Sequence, residues 1–310
     1  MLGCIRRVPS ALLLACLLPA ATAAAEDGDA VEIDYAYPTG AHVLRYHIEQ
    51  RNTVSGATSA EMTIDTDITI PLAVRAAEPE DARDVTMTVQ RIVAVLTAGE
   101  MEKEVDSDRP DTLLPGMPMH LLKEVDFEAK IDPAGDVTEF TGAEEFVRKA
   151  EMAPDDEAER KEHEKAIGAG MRQLLAEPLA YLPEKPVAVG DTWTYTADVY
   201  GLPVMGARKV SREETTCTLA ELRDTDDGRV ACIDVTGTSE FVSGAAETDP
   251  ETLKKIGRVE YNIDTNELVR HHIELTGERH AEMGEGAELV YGTEMVIDTS
   301  VEPAEDETKE

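Results

Sequence analysis

The chain is short of aromatic and basic side chains. Its 310 residues include one tryptophan, four phenylalanines and 29 lysines plus arginines, against 64 aspartates plus glutamates. A formal charge of −35 repels phosphate backbones and anionic membrane surfaces, which argues against both as partners. Cysteine is scarce too, with four in all, two of them within the first sixteen residues. No Cys-x-x-Cys pair is present to lower a thiol pKa, so thiol–disulfide exchange has no basis. A glycine-rich phosphate loop is also missing.

The remaining catalytic and metal patterns fail on single residues. Phe241-Val242-Ser243-Gly244-Ala245 lacks the first glycine of a nucleophile elbow. His163-Glu164 opens like a zinc-protease helix, but Ile167 stands where the second histidine belongs. Asp224-Thr225-Asp226-Asp227-Gly228 is one residue short of a calcium loop and has Val235 at the bidentate position. Carboxylate pairs carry no information in so acidic a chain. His271 shares alternation with Val269, Ile273 and Leu275, the pattern of a hydrogen-bonded core histidine. A non-enzyme without metal or cofactor is therefore expected.

One extended apolar run is present, from Val8 to Ala21, after Arg6 and Arg7 and before Ala23-x-Ala25 and the first acids, Glu26 and Asp27. It falls short of the roughly 20-residue membrane span and has the layout of a secretory signal peptide. Residues 1–25 are expected to be removed, placing the mature protein outside the cytoplasm with an unmodified Glu26 start. A rival reading lipidates Cys16 through Leu13-Leu14-Ala15-Cys16, leaving the apolar LLPAATAAA on the mature chain. Removing residues 1–25 takes away two arginines and no acids, so the mature chain is more acidic still, as suits a salty exterior. Cys217 and Cys232 flank the turn at 224–228 between β-patterned runs. In an oxidising compartment they predict a cross-strand disulfide, with a pair of buried free thiols as the alternative.

The dominant period is two. Met62, Ile64, Ile68, Ile70 and Leu72 alternate with Glu61, Thr63, Asp65, Asp67 and Thr69; Phe127, Ala129 and Ile131 alternate with Glu128, Lys130 and Asp132. Such strands have one wet face and belong to antiparallel sheets. FEAKIDPAGDVTEFTG at 127–142 parallels VEYNIDTNELVRHHIELTG at 259–277, and each follows another hairpin-like run, so the chain reads as two related halves. Between them the period becomes helical, with Ala143, Phe146, Val147 and Ala150, then Ile167, Met171, Leu174 and Leu175, the second helix ending near Pro178. The expected fold is α+β with β dominant: long curved antiparallel sheets in two related, half-barrel-like halves around a central helical segment. The boundaries are a signal at 1–25, a first β unit at 26–141, a helical connector at 142–181, a second β unit at 182–302 and an acidic tail at 303–310.

PEKPVAVGDTW at 183–193, DSDRPD at 106–111 and DPAGDVTEFTG at 132–142 resemble a family of exported bacterial β-rich proteins catalogued as a domain of unknown function. The shared motifs are turns and strand starts, so the resemblance implies a fold and carries no activity.

Candidate ligand contacts are apolar. LLPGMPMHLL at 113–122 and GLPVMG at 201–206 are methionine-bearing loops broken by proline, and Trp193 begins the second β unit. Met117, Met119, Leu121, Trp193, Leu202 and Met205 are read as rimming a pocket for an apolar small molecule or lipid. The competing readings are plain packing, and copper(I) on Met117, Met119 and His120. The leading function is non-catalytic binding of an apolar ligand or partner in a curved-sheet cavity. The alternative is an envelope assembly component that docks another protein. An open apolar cavity inside the sheet would favour binding, a filled interior assembly, and a cleft on perturbed carboxylates catalysis.

Overall fold

The structure, a computed structural model, describes residues 30–33, 35–56, 59–79, 82–113, 118–150, 157–200, 209–241, 251–283 and 287–304. The first half runs β1 (Gly40–Ser55), β2 (Ala60–Ala76), β3 (Arg83–Met87), β4 (Arg91–Ala98), β5 (Met101–Asp106), β6 (Phe127–Ile131) and β7 (Val137–Thr141). Helices α1 (Ala143–Lys149) and α2 (Glu157–Ala176) follow. The second half is β8 (Thr192–Tyr200), β9 (Lys209–Thr225), β10 (Gly228–Phe241), β11 (Glu251–Asn262), β12 (Glu267–Met283) and β13 (Ala287–Pro303).

All strands join one antiparallel sheet ordered β7-β6-β3-β2-β1-β13-β12-β11-β10-β9-β8, with the β4–β5 hairpin branching from β2. The two halves follow the same meander, β1-β2-β3-β6-β7 and β8-β9-β10-β11-β12. Strand β13 pairs with both β1 and β12 and fuses them into one sheet. Sheet twist accumulated over so many strands curls the surface. Helix α2 lies against both β7 and β8, so the two end strands of the main strand order face each other across it.

The period-two pattern sorts the faces. Leu44 and Tyr46 on β1, Ile68, Ile70 and Leu72 on β2, and Val259, Tyr261 and Ile273 on the second half are buried on the concave side. Arg45, His47, Asp65 and Asp67 alternate onto the convex side. Phe146, Val147, Ile167, Met171 and Leu175 turn the helices' apolar stripes inward.

The C-terminal end of α2 is held by tyrosines. Carbonyls of a helix's last turn lack intrahelical donors, and β1 and the segment leading into it supply them. Tyr37 donates its hydroxyl to Leu175 O at 2.8 Å and Tyr46 donates to Leu174 O. Beyond the helix, Tyr261 donates to Pro178 O at 2.5 Å and Trp193 Nε1 to Tyr181 O at 3.2 Å. The few large aromatic side chains are thus concentrated where the helical segment plugs the sheet.

The stretches that carry the resemblance in sequence are structural devices here. Asp106 is 2% exposed and receives Arg91 through two bonds, at 3.2 and 2.8 Å, with Arg109 Nε at 3.2 Å. Asp132 accepts the backbone N–H groups of Ala134 and Asp136 at 3.0 and 2.9 Å, shaping the β6–β7 turn. Asp191 accepts Ala188 N–H at 2.9 Å before β8 starts.

The expected disulfide is not formed. Cys217 and Cys232 are free and buried. The β9–β10 hairpin turns at Asp226-Asp227, where its strands face each other from Thr225↔Gly228 onward. Cys217 lies eight residues before Thr225 but Cys232 only four after Gly228, so Cys217 faces Val235 and Cys232 faces Glu221. Their alternation also differs. Cys217 joins the core with Ile233 and Val235, while Cys232 points to the opposite face beside Arg258. Burial pushes the Cys217 thiol up to about 12, which leaves it chemically inert.

Candidate functional site

The seam between these two end strands contains a cavity of about 770 Å³. Phe140 of β7 and Ala143 of α1 form one side, Ala197 and Val199 of β8 the other, and the face of α2 from Lys161 to Ala176 the base. Small residues keep it open. A Cβ on Gly168 would lie 3.5 Å from Ala143 Cβ, so α1 approaches α2 closely there, while Ala169, Ala176 and Ala180 leave the space above them unfilled. Lys161, Lys165 and Arg172 share this face of α2 at helical spacing and line the cavity.

The inner end of the cavity meets a buried polar cluster. Glu177, Tyr195 and Glu213 reach the cavity wall. Behind them Lys255 on β11, 1% exposed, donates to Glu213 Oε2 at 2.6 Å and to Tyr195 OH at 3.3 Å, with its Nζ 5.2 Å from the centre of the Tyr181 ring. Tyr181 donates its hydroxyl to Glu177 Oε1 at 2.6 Å, and His271 Nε2 stands 3.6 Å from that same oxygen. Burial works against the Lys255 charge, yet the Tyr195 oxygen and the Glu177 and Glu213 carboxylates hold the ammonium well above its ordinary range. Burial likewise opposes ionisation of Glu177, but His271, Lys255 and the Tyr181 hydroxyl outweigh it and bring the carboxyl down to about 2. Glu213 moves the other way, raised chiefly by burial and only partly offset by Lys255.

Sequence reasoning missed Lys255 and Glu213. A usable signal was present: Lys255 alternates with Leu253, Gly257 and Val259, and Glu213 with Thr215 and Cys217, so both occupy inward positions. His271 is in the core, as its alternation implies, with its ring 5.3 Å from that of Tyr181, but the expected hydrogen bond is not made: neither ring nitrogen has a partner at hydrogen-bond distance among the described residues.

Of the apolar residues singled out from sequence, the three among the described residues, Met119, Leu121 and Trp193, are placed elsewhere. Met119 (4% exposed) and half-buried Leu121 sit on a 3-10 turn, Met119–Glu124, that packs against α1 and β4. Trp193 is half-buried against the core and uses its indole proton on Tyr181 O; its neighbour in alternation, Tyr195, lines the cavity. None of Met119, Leu121 and Trp193 lines the cavity. Met117, Leu202 and Met205 lie outside the described residues, as do the signal segment and Cys16. His120 belongs to no cluster of three His, Cys, Asp or Glu ligand groups among the described residues.

Among solved structures, lipovitellin, described for its lipid–protein interactions, shares 10% identity over 89% of this chain at a TM-score of 0.34; the chain spans 27% of the lipovitellin chain. An outer-membrane channel from Pseudomonas putida F1 shares 7% identity over 86% of this chain and 97% of its own, at a TM-score of 0.22. No curated protein matches the chain. The model of a family of unknown function, DUF6263, matches residues 80–274. That match runs from β3 into β12, taking in part of each β unit and the helical plug between them, and the chain belongs to this family.

Proposed function

We propose that the protein is an exported, non-catalytic binding protein that holds an apolar or amphiphilic small molecule, such as a lipid, in the seam cavity. The observation that carries this reading is the cavity itself. The sheet stops short of closure at β7 and β8, and α2 leaves about 770 Å³ between them, within the 300–1,000 Å³ usual for small-molecule sites. Alanine and phenylalanine surfaces suit an acyl chain, and the lysines and arginine of α2 suit a polar end. Export rests on residues 1–25, and among the described residues no helix is long and apolar enough to cross a membrane. The non-catalytic reading rests on the engagement of the polar cluster. Lys255, Glu213, Glu177, Tyr181 and Tyr195 already contact one another, which makes them a lock between plug and sheet rather than groups awaiting a substrate.

The test is uptake of a fluorescent fatty acid by the mature protein and by Ala169→Trp, which fills the cavity from a half-exposed helix position. Uptake by wild type and its loss in the variant at unchanged melting temperature support the reading. Equal uptake by both, or by neither, removes it. A second reading, assembly with an envelope protein, is favoured by the outer edges of β7 and β8, which have no strand partner among the described residues. Addition of a partner strand there would use main-chain hydrogen bonds.

A further inference from the structure

The convex face, away from the cavity, carries a repeated histidine–carboxylate arrangement created by strand register. His47 on β1 lies directly across from Asp67 on β2, and Asp65 is on the same face one pleat further along. Its Nδ1 is 3.0 Å from Asp67 Oδ1 and 3.6 Å from Asp65 Oδ1, while its Nε2 is 3.2 Å from Glu49 Oε1. The tripeptide His-Ile-Glu recurs at 272–274. There His272 Nδ1 is 2.7 Å from Asp298 Oδ1, its cross-strand partner on β13, and Nε2 is 3.1 Å from Glu274 Oε1.

The two copies differ at one position that matters. Asp65 precedes Asp67 by two residues on β2; the residue two before Asp298 on β13 is Val296. The His47 ring nitrogen therefore faces two carboxylates and that of His272 only one. His47, Asp65 and Asp67 bring three ligand atoms within 4.8 Å of one another. Zinc bonds to imidazole nitrogen and carboxylate oxygen of about 2.0–2.2 Å, in a tetrahedron, separate ligand atoms by about 3.3 Å. The observed 3.0 and 3.6 Å bracket that separation. The neighbouring cations do not occupy the place: Arg45 pairs with Glu302, and Arg51 with Glu61 and Glu294. Side-chain exposures of 39%, 55% and 66% for His47, Asp65 and Asp67 leave the group open to ions from solvent.

We propose that His47, through Nδ1, Asp65 and Asp67 form a binding site for a divalent transition cation of the zinc type, with the fourth position open to water and Glu49 holding the ring through Nε2. One imidazole with hard carboxylates suits a borderline cation, whereas calcium and magnesium take oxygen ligands alone and gain nothing from the ring. The alternative role of the group is a protonated histidine paired with carboxylates and no metal.

Titration calorimetry of the mature protein with zinc chloride, in the presence of excess calcium to occupy sites made of acids alone, separates the two. The expected result is one calcium-resistant zinc site, weakened at least tenfold by His47→Ala and by Asp67→Asn and unchanged by His272→Ala. Melting temperature and circular dichroism confirm that each variant is folded. Calcium-resistant binding that is absent from the wild type, or equal in wild type and His47→Ala, overturns the proposal.

Discussion

Lys255 is the residue on which the interior of the second half depends. Its ammonium is sealed between Glu213 and Tyr195 on the concave face. Removing one member of such a pair leaves an uncompensated buried charge, at a cost of about 3–5 kcal/mol, whereas replacing both by apolar groups of similar volume is much less harmful. Lys255→Met is therefore expected to lower stability by that amount in urea unfolding, and Lys255→Met with Glu213→Leu to recover most of it. Glu177 adds a pH dependence. Its folded pKa lies below the ordinary 4.5, so its contribution is full above that value and is lost as pH falls towards about 2. Glu213, raised on folding, works in the opposite sense through the carboxylate range. Acid unfolding of Glu177→Gln should accordingly be flatter than that of the wild type between about 4.5 and about 2. The two buried thiols give a third expectation at this scale. Alkylation without reductant should label Cys217 and Cys232 only after denaturation, and a resistant pair would restore the disulfide.

At the scale of elements, the plug is anchored by hydrogen bonds that reach the helix end from β1 and from the segment leading into it. Tyr37→Phe keeps the ring in place but strips the donor from the buried Leu175 carbonyl. An unsatisfied buried acceptor costs about 1–3 kcal/mol, and a fall of that size in unfolding free energy is expected. Gly142, which leads into α1 with φ of +101°, is a second such point. A Cβ there would lie 2.7 Å from Asp126 O, so Gly142→Ala should destabilise the β7–α1 junction. These elements were legible in sequence to the extent that their signal is local. The change of period at Ala143, Phe146 and Val147 marks α1, and the alternation through Ile68, Ile70 and Leu72 marks β2, because one helix face or one strand face must be apolar wherever the element packs. Lys255 and Glu213 were not legible as a site, since charges abound on these strands and only their inward alternation sets them apart. The cysteine pairing failed for a related reason: proximity to a common turn says nothing about equal distance from it.

The whole molecule is defined by what its sheet leaves undone. Joining the meanders through β13 removes edges at one place and creates the facing edges β7 and β8 at another, with α2 wedged between them. No local pattern encodes that meeting, which is why the sequence pointed to Met119 and Trp193 while the cavity is walled by Phe140, Ala169 and Ala197. The most direct test of the binding account is photo-crosslinking with a diazirine-bearing fatty acid, followed by peptide mapping. Label concentrated on peptides spanning 138–144, 161–180 and 195–199, and competed away by unlabelled fatty acid, is the predicted result. Label spread over the convex face, or absent altogether, would contradict it.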